Sequence, residues 1–330
     1  MSGKENGGIP EIIITMGDPS GIGPEIIAKS VKEFLGGAET CFTVVGDKEV
    51  LSRAFSDHCP EALTAGRDRF SIDDVGESSG EIIPGRPSEK GAAIAFKAIQ
   101  KAVDIISEKK AGRSRAMVTG PVSKENIGRV SPGFVGHTEF LQSSFKSDFV
   151  TMAFVGEHLR VVPVTRHVRL KDVASRLSRE LIVRTIAQVV EERAMMSDER
   201  EPEIIVTALN PHAGEGGRVG TEEKEIIEPA IEEARAQYGR IEGAVPSDVA
   251  FYRALSSPGS IVVAMYHDQC LGPFKMIDFT SGVNLTLGLG IVRTSPDHGT
   301  AFDIAGRGLA SPDSMTHAIK LAVRALRVSS

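Results

Sequence analysis

Short apolar runs punctuate this chain, and polar, glycine-rich turns follow them. The first, Glu11-Ile12-Ile13-Ile14-Thr15-Met16, is continuously apolar and β-branched, which suits a parallel strand covered on both faces. Residues 41–46, 116–120, 203–207 and 260–265 repeat this character. Between them, the spacing of apolar residues predicts helices over 91–109, 181–195, 222–238 and 314–326. Pro24 suits the first turn of a further helix running through Ile26 and Ile27. Strands alternating with helices predict an α/β layered fold.

With 330 residues, 41% apolar and 25% charged, the chain can bury one large core or two moderate ones. The formal net charge of -6 argues against a general nucleic-acid binder, which needs a basic surplus. No apolar run approaches the roughly 20 residues that span a bilayer, and MSGKENGGIPE lacks an export pattern. Cys41, Cys59 and Cys270 show no CxxC spacing and read as free thiols. The expectation is a cytoplasmic protein with no membrane or nucleic-acid partner.

In open α/β sheets, ligands sit beyond the strands' C-terminal ends, where the polar loops of this chain cluster. Residues 16–26, MGDPSGIGPEI, offer Gly17, Asp18, Gly21 and Gly23 for close approach to a cofactor, though the pattern is neither GxGxxG nor a P-loop. Alone, it is as readily a tight strand-to-helix turn. The segments 119–124 and 136–141 combine donors with a helix start, so His137 and Thr138 are candidates for an anion, against the commoner reading of Thr138 as a helix cap. His167, His212 and His267 stand in separate polar loops; neutral imidazoles suit one divalent metal, but their spacing does not bring them together. Lys275, Asn284 and Arg293 offer two cations and an amide for a phosphate, against plain surface charge. Residues 295–308, SPDHGTAFDIAGRG, add His298 and Asp303.

The loops GDPSGIGPEI and DHGTAFDIAG resemble the GDGIGPEI and HG[ST]AxDIAG loops of isocitrate and isopropylmalate dehydrogenases, which bind NAD(P) without a Rossmann fingerprint. A closer resemblance, to the 4-hydroxythreonine-4-phosphate dehydrogenase family, runs from residue 16 to 306. It rests on MGDPSGIGPEI, GHTEFL, LNPHAGEGG, GTEE, MYHDQ, GVNLTLGL and RTSPDHGTAFDIAG. Three positions depart from the family's pattern. Thr165-Arg166-His167-Val168-Arg169-Leu170 stands where His-Leu-Pro-Leu is usual, Cys270 where a small residue follows HDQ, and Gly290 where proline follows TLGL.

This resemblance implies NAD-dependent, divalent-metal-dependent oxidation of 4-phosphohydroxy-L-threonine to 2-amino-3-oxo-4-phosphooxybutanoate, then decarboxylation to 3-amino-2-oxopropyl phosphate. It implies zinc, magnesium or cobalt on His167, His212 and His267, and substrate on His137, Thr138, Lys275, Asn284 and Arg293. The cofactor would lie along Gly17, Asp18, Gly21, Gly23, His298 and Asp303, the last disfavouring an NADP 2′-phosphate. Asp248 and Asp268 are candidates for proton handling or for orienting a ligand histidine.

The implied architecture has two isocitrate/isopropylmalate dehydrogenase-like α/β/α subdomains with an interdomain cleft. Residues 1–128 with 290–330 would form the cofactor side, and 129–289 the metal, substrate and dimerisation side. A homodimer would draw metal ligands from both subunits. The competing expectations are a D-threonate or D-erythronate 4-phosphate dehydrogenase, an aromatic cis-diol dehydrogenase, a phosphate acyltransferase and a noncatalytic phospholigand-binding protein.

Overall fold

The computed structural model describes residues 9–37, 40–76, 81–108 and 113–328. The start of the chain and Lys109, the last residue of one predicted helix, lie outside the described residues. Two compact units emerge, Met1–Phe149 with Leu289–Ser330, and Val150–Gly288.

In chain order, the first stretch contains β1 (Glu11–Thr15), α1 (Gly23–Lys32), β2 (Cys41–Gly46), α2 (Lys48–His58), α3 (Pro60–Thr64), β3 (Phe70–Asp74), α4 (Glu89–Ser107), β4 (Arg115–Thr119), α5 (Lys124–Val130) and α6 (His137–Ser144). The second unit contains β5 (Thr151–Val155), β6 (Arg160–Thr165), α7 (Val173–Arg176), α8 (Arg179–Glu191), α9 (Arg193–Met196), β7 (Ile204–Thr207), α10 (Glu228–Tyr238), β8 (Ile241–Val245), α11 (Ser247–Ser256), β9 (Ile261–Tyr266), α12 (His267–Ile277) and β10 (Val283–Leu287). The chain then adds β11 (Val292–Pro296) and α13 (Asp313–Val328) to the first unit.

In the first unit the strands run β3-β2-β1-β4-β11, all parallel. Every residue of β1 is buried, as its unbroken apolar run requires. Ile12, Ile13 and Ile14 have no exposed surface, and truncating any of them to alanine would cost about 2–5 kcal/mol. Because the strands are parallel, the loops after β1, β4 and β11 leave the same edge.

The second unit runs β10-β5-β6-β9-β7-β8, with β10, β5 and β6 antiparallel to their neighbours in turn and the remainder parallel. Val161, Ile205, Val262 and Ala264 meet Phe251 and Ala254 of α11 and Leu271 and Phe274 of α12 in one apolar cluster. The loops after β6, β9 and β7 therefore also share an edge.

The chain passes to the second unit after Phe149, not after residue 128 as expected from the sequence. Aromatic packing explains the difference: Phe96 of α4 lies 5.6 Å from Phe134 and 5.2 Å from Phe140, centroid to centroid, holding α6 on the first unit. His137 and Thr138 consequently belong with Arg293, while Lys275 and Asn284 belong to the second unit.

Candidate active site

The register of β6 on β9 pairs Thr165 with Tyr266, and the Thr165 hydroxyl donates to the Met265 carbonyl at 2.8 Å. Residues following these two strand ends emerge side by side, which brings the His167 and His267 rings to a centroid separation of 5.6 Å. Two imidazoles bound to one ion through Zn–N bonds of about 2 Å have centroids about 5 Å apart, so the pair suits a shared divalent cation. His267 Nδ1 lies 2.7 Å from Asp268 Oδ1, an arrangement that leaves Nε2 to face a ligand.

Gln269, one residue further on and buried, stitches the same edge together. Its Oε1 accepts from the Thr207 hydroxyl at 3.0 Å and the Met265 amide at 2.7 Å, and its Nε2 donates to the Ala208 carbonyl at 2.7 Å. Cys270, where a smaller residue was expected, is fully buried and donates to the His267 carbonyl at 3.3 Å; burial drives its thiol pKa upward.

His212 is exposed and lies in an unusual turn. His212, Ala213, Gly214, Glu215 and Gly216 all have left-handed backbone angles, with φ of 51°, 52°, 73°, 45° and 69°. Three of them carry a Cβ, at a cost of about 1–2 kcal/mol each. Glu223, 2% exposed, binds the entry to the turn: Oε1 accepts from the Leu209 amide at 2.9 Å and the Asn210 amide at 2.7 Å, and Oε2 from Asn210 Nδ2 at 3.0 Å. Glu222 Oε2 accepts from Asn210 Nδ2 at 2.7 Å, and its own backbone amide and Asn210 hold its carboxyl below the usual range. Lys224 Nζ donates to the Gly216 carbonyl at the exit.

Among the described residues, no three His, Cys, Asp or Glu side chains assemble into a metal site within one chain. The expected triad is thus present as a pair, His167 with His267, and a separate His212.

Two further members of the anion set lie on this unit. Lys275 is half-buried, with Nζ 5.4 Å from the Phe279 ring centroid, and Asn284 on β10 is half-buried with Oδ1 lacking a hydrogen-bond partner among the described residues. Asp248 is exposed in the first turn of α11, and the Asp268 side chain is 90% exposed.

In the first unit, Arg293 on β11 is 2% exposed and donates to Thr119 Oγ1 at 2.5 Å. Burial lowers its pKa to about 10, opposed by Glu139, so it stays cationic near neutrality. His137 opens α6, with Nε2 closed off from solvent and unpartnered among the described residues. Desolvation, then Arg293 and Lys124, hold its pKa well below 6.5. A neutral imidazole near a buried guanidinium, with Thr138 buried next to it, is a donor set chemically suited to an anion. From the sequence, Gln269 and Glu223 carry no role of their own and Lys124 figures only within the donor-bearing segment 119–124; the available signal was polar residues concentrated in the TGPVSK, MYHDQ and GTEE segments.

The proposed cofactor residues divide into two groups. Gly17, Asp18, Gly21 and Gly23 are buried beneath neighbouring loops, with the Asp18 amide donating to the Pro121 carbonyl at 2.9 Å and the Ile22 amide to the Thr300 carbonyl at 3.0 Å. A Cβ on Gly23 would lie 2.2 Å from the Met16 carbonyl, so close backbone packing accounts for that glycine. Asp18 Oδ1 accepts from the Ser20 amide at 3.0 Å, and desolvation raises its pKa. His298 and Asp303, by contrast, are exposed. These glycines thus pack closely against the chain's own loops.

Comparison with known proteins gives this geometry its context. The sequence model of a family described as "Pyridoxal phosphate biosynthetic protein PdxA" matches residues 38–322. The chain belongs to the PdxA family. Among PdxA relatives, 4-hydroxythreonine-4-phosphate dehydrogenase of Desulforapulum autotrophicum is 39% identical over 324 residues, covering 95% of this chain and 94% of the relative. The corresponding Desulfosudis oleivorans protein is 40% identical over 325 residues, with 95% of each covered.

The solved 4-hydroxythreonine-4-phosphate dehydrogenase of Klebsiella pneumoniae is similar at a TM-score of 0.80 and 34% identity, covering 96% of this chain and 99% of that one. A terephthalate 1,2-cis-dihydrodiol dehydrogenase from Burkholderia xenovorans LB400 gives 0.66 and 27%, covering 95% and 97%. PdxA membership makes this chain an oxidoreductase and bears out the family and α/β fold read from its motifs.

Proposed function

We propose that this chain is a 4-hydroxythreonine-4-phosphate dehydrogenase of pyridoxal phosphate biosynthesis, using NAD and one divalent metal ion. The observation carrying this reading is the PdxA match across residues 38–322, together with the paired imidazoles of His167 and His267. Oxidation removes a hydride from the carbinol carbon and the hydroxyl proton. Breaking the bond to the carboxylate then releases carbon dioxide and leaves 3-amino-2-oxopropyl phosphate after protonation.

His167 and His267 are the metal ligands from one chain, with His212 supplied by a second copy. When bound, the ion supplies Lewis-acid polarisation of the substrate oxygen, and NAD supplies the hydride acceptor. Asp268 fixes the orientation of His267 through its 2.7 Å contact. In the first unit, Arg293 is the proposed substrate-anion residue, with His137 and Thr138 as hydrogen-bonding partners, and in the second unit Lys275 and Asn284 are the proposed substrate residues. The buried Arg293 cation favours a charged substrate over an uncharged diol. On the cofactor side, the exposed Asp303 carboxylate disfavours a 2′-phosphate and so favours NAD over NADP.

Self-association has support in the second unit. Val249, Tyr252 and Leu255 of α11 and Met276, Ile277 and Phe279 at the end of α12 are all exposed, with Met276 at 85% and Tyr252 at 73%. Apolar residues concentrated on two helices that share one core cluster suit a protein interface.

Mass analysis of the product tests the reaction. Metal-loaded protein incubated with NAD and 4-phosphohydroxy-L-threonine is expected to release one carbon dioxide per NADH and yield 3-amino-2-oxopropyl phosphate. NADH formation with a product that retains its carboxylate, even after acid quench and rapid analysis, contradicts enzyme-linked decarboxylation.

A further inference from the structure

The GTEE segment stands out in the sequence, yet the roles above leave it unused. We infer that Glu223 is a positioning residue for His212: its buried carboxylate fixes the backbone that launches the left-handed turn and so sets where the imidazole projects. The inference rests on the proposed reading of His212 as a metal ligand.

Left-handed angles at His212, Ala213 and Glu215 are not those the free chain prefers, so the turn persists only where neighbouring groups enforce it. The enforcement is concentrated in three consecutive residues. Glu223 takes the Leu209 and Asn210 amides on one oxygen and the Asn210 side-chain amide on the other. Asn210, two residues before His212, is therefore held through both main chain and side chain, with Glu222 sharing its amide. Lys224 closes the exit at the Gly216 carbonyl, and the Val219 amide donates to the Gly214 carbonyl at 3.1 Å.

Acceptor chemistry explains the residue type. Both carboxylate oxygens of Glu223 accept, whereas glutamine would turn an NH2 donor toward a donor on the turn. The side chain lies against the turn itself, since a Cβ on Gly214 would approach Glu223 Oε2 to 2.7 Å. A relaxed turn would redirect the Cα–Cβ bond of His212 without altering its chemistry.

Zinc affinity of the intact full-length protein, measured by competition with a chromophoric chelator, tests this apart from turnover. Glu223→Gln should weaken zinc binding by about 10–100-fold, the usual range for groups that support a metal ligand. Ala213→Gly in the Glu223→Gln background should recover about threefold or more, because glycine adopts the left-handed state without a Cβ penalty. A Glu223→Gln protein that loses thermal stability but keeps zinc affinity within about twofold of the parent overturns the positioning role. If Glu223→Gln does not fold, Lys224→Met tests the same clamp from an exposed side chain: a loss of about threefold or more supports it, and parental affinity overturns it. His212→Ala is the separate control. Undiminished zinc affinity there overturns the ligand reading, whereas zinc lost in His212→Ala but retained in Glu223→Gln overturns only the inference about Glu223.

Discussion

Substituting Gln269 by leucine tests how the second unit holds its histidine-bearing edge. The Gln269 amide makes three internal hydrogen bonds of 2.7–3.0 Å, linking Met265 at the end of β9 with Thr207 and Ala208 at the end of β7. These partners are 0–1% exposed, so water does not replace the lost bonds without local opening. Each buried group deprived of a partner costs about 1–3 kcal/mol, and the apolar leucine offsets part of the total. The expected loss is about 3–5 kcal/mol in unfolding free energy, measured by urea titration with the slope checked for constancy. Zinc affinity should fall as well, because His267 lies two residues before Gln269. A loss below about 1 kcal/mol with unchanged zinc binding would refute this account of the edge.

Other perturbations address the remaining parts of the site. Arg293→Met should raise the KM for the phosphorylated substrate about 10–100-fold, following loss of charge-assisted contacts, whereas an unchanged KM removes Arg293 from the substrate set. His137 is held neutral in the folded chain but binds a proton near pH 6.5 when unfolded, so the unfolded state takes up more protons below that pH. Its contribution should therefore diminish stability as pH falls from 6.5, by up to roughly 1.4 kcal/mol per pH unit, and pH-dependent melts of His137→Gln should show a shallower acid-side decline. Tyr252→Glu combined with Phe279→Glu should shift the molecular mass in light scattering toward the monomer and depress metal retention together; a variant that stays dimeric places the interface elsewhere.

Strands buried on both faces were the most legible features of this sequence. The apolar runs at β1, β2, β4, β7 and β9 each became a strand, because such strands need no alternation. β6 was harder to read: Pro163 argues against an inner strand, yet it is registered with Ala264 of β9. β10 is short and lies within GVNLTLGL, where glycines on both sides read as a loop and mask the apolar-polar alternation of Val283–Leu287.

For the site, residue types pointed toward metal and anion chemistry, and the parallel strand ends explain how His167 meets His267 across 100 residues of sequence. The burial of Glu223 was not legible, since Thr221-Glu222-Glu223-Lys224 resembles a solvated helix start until its partners at Leu209 and Asn210 are known. Gly290 became intelligible only with its φ of 71°, a conformation closed to the proline expected at that place. The glycines of residues 16–26 carried the opposite lesson, because their close backbone approach is made to the chain itself.

The most direct test follows NADH formation at about 340 nm with 4-phosphohydroxy-L-threonine, D-threonate 4-phosphate and D-erythronate 4-phosphate in parallel, before and after chelation and metal replacement. The account predicts the highest kcat/KM for 4-phosphohydroxy-L-threonine, abolished by chelation and restored by a divalent ion. A preference for either sugar-acid phosphate, or undiminished turnover in the metal-free protein, would contradict it.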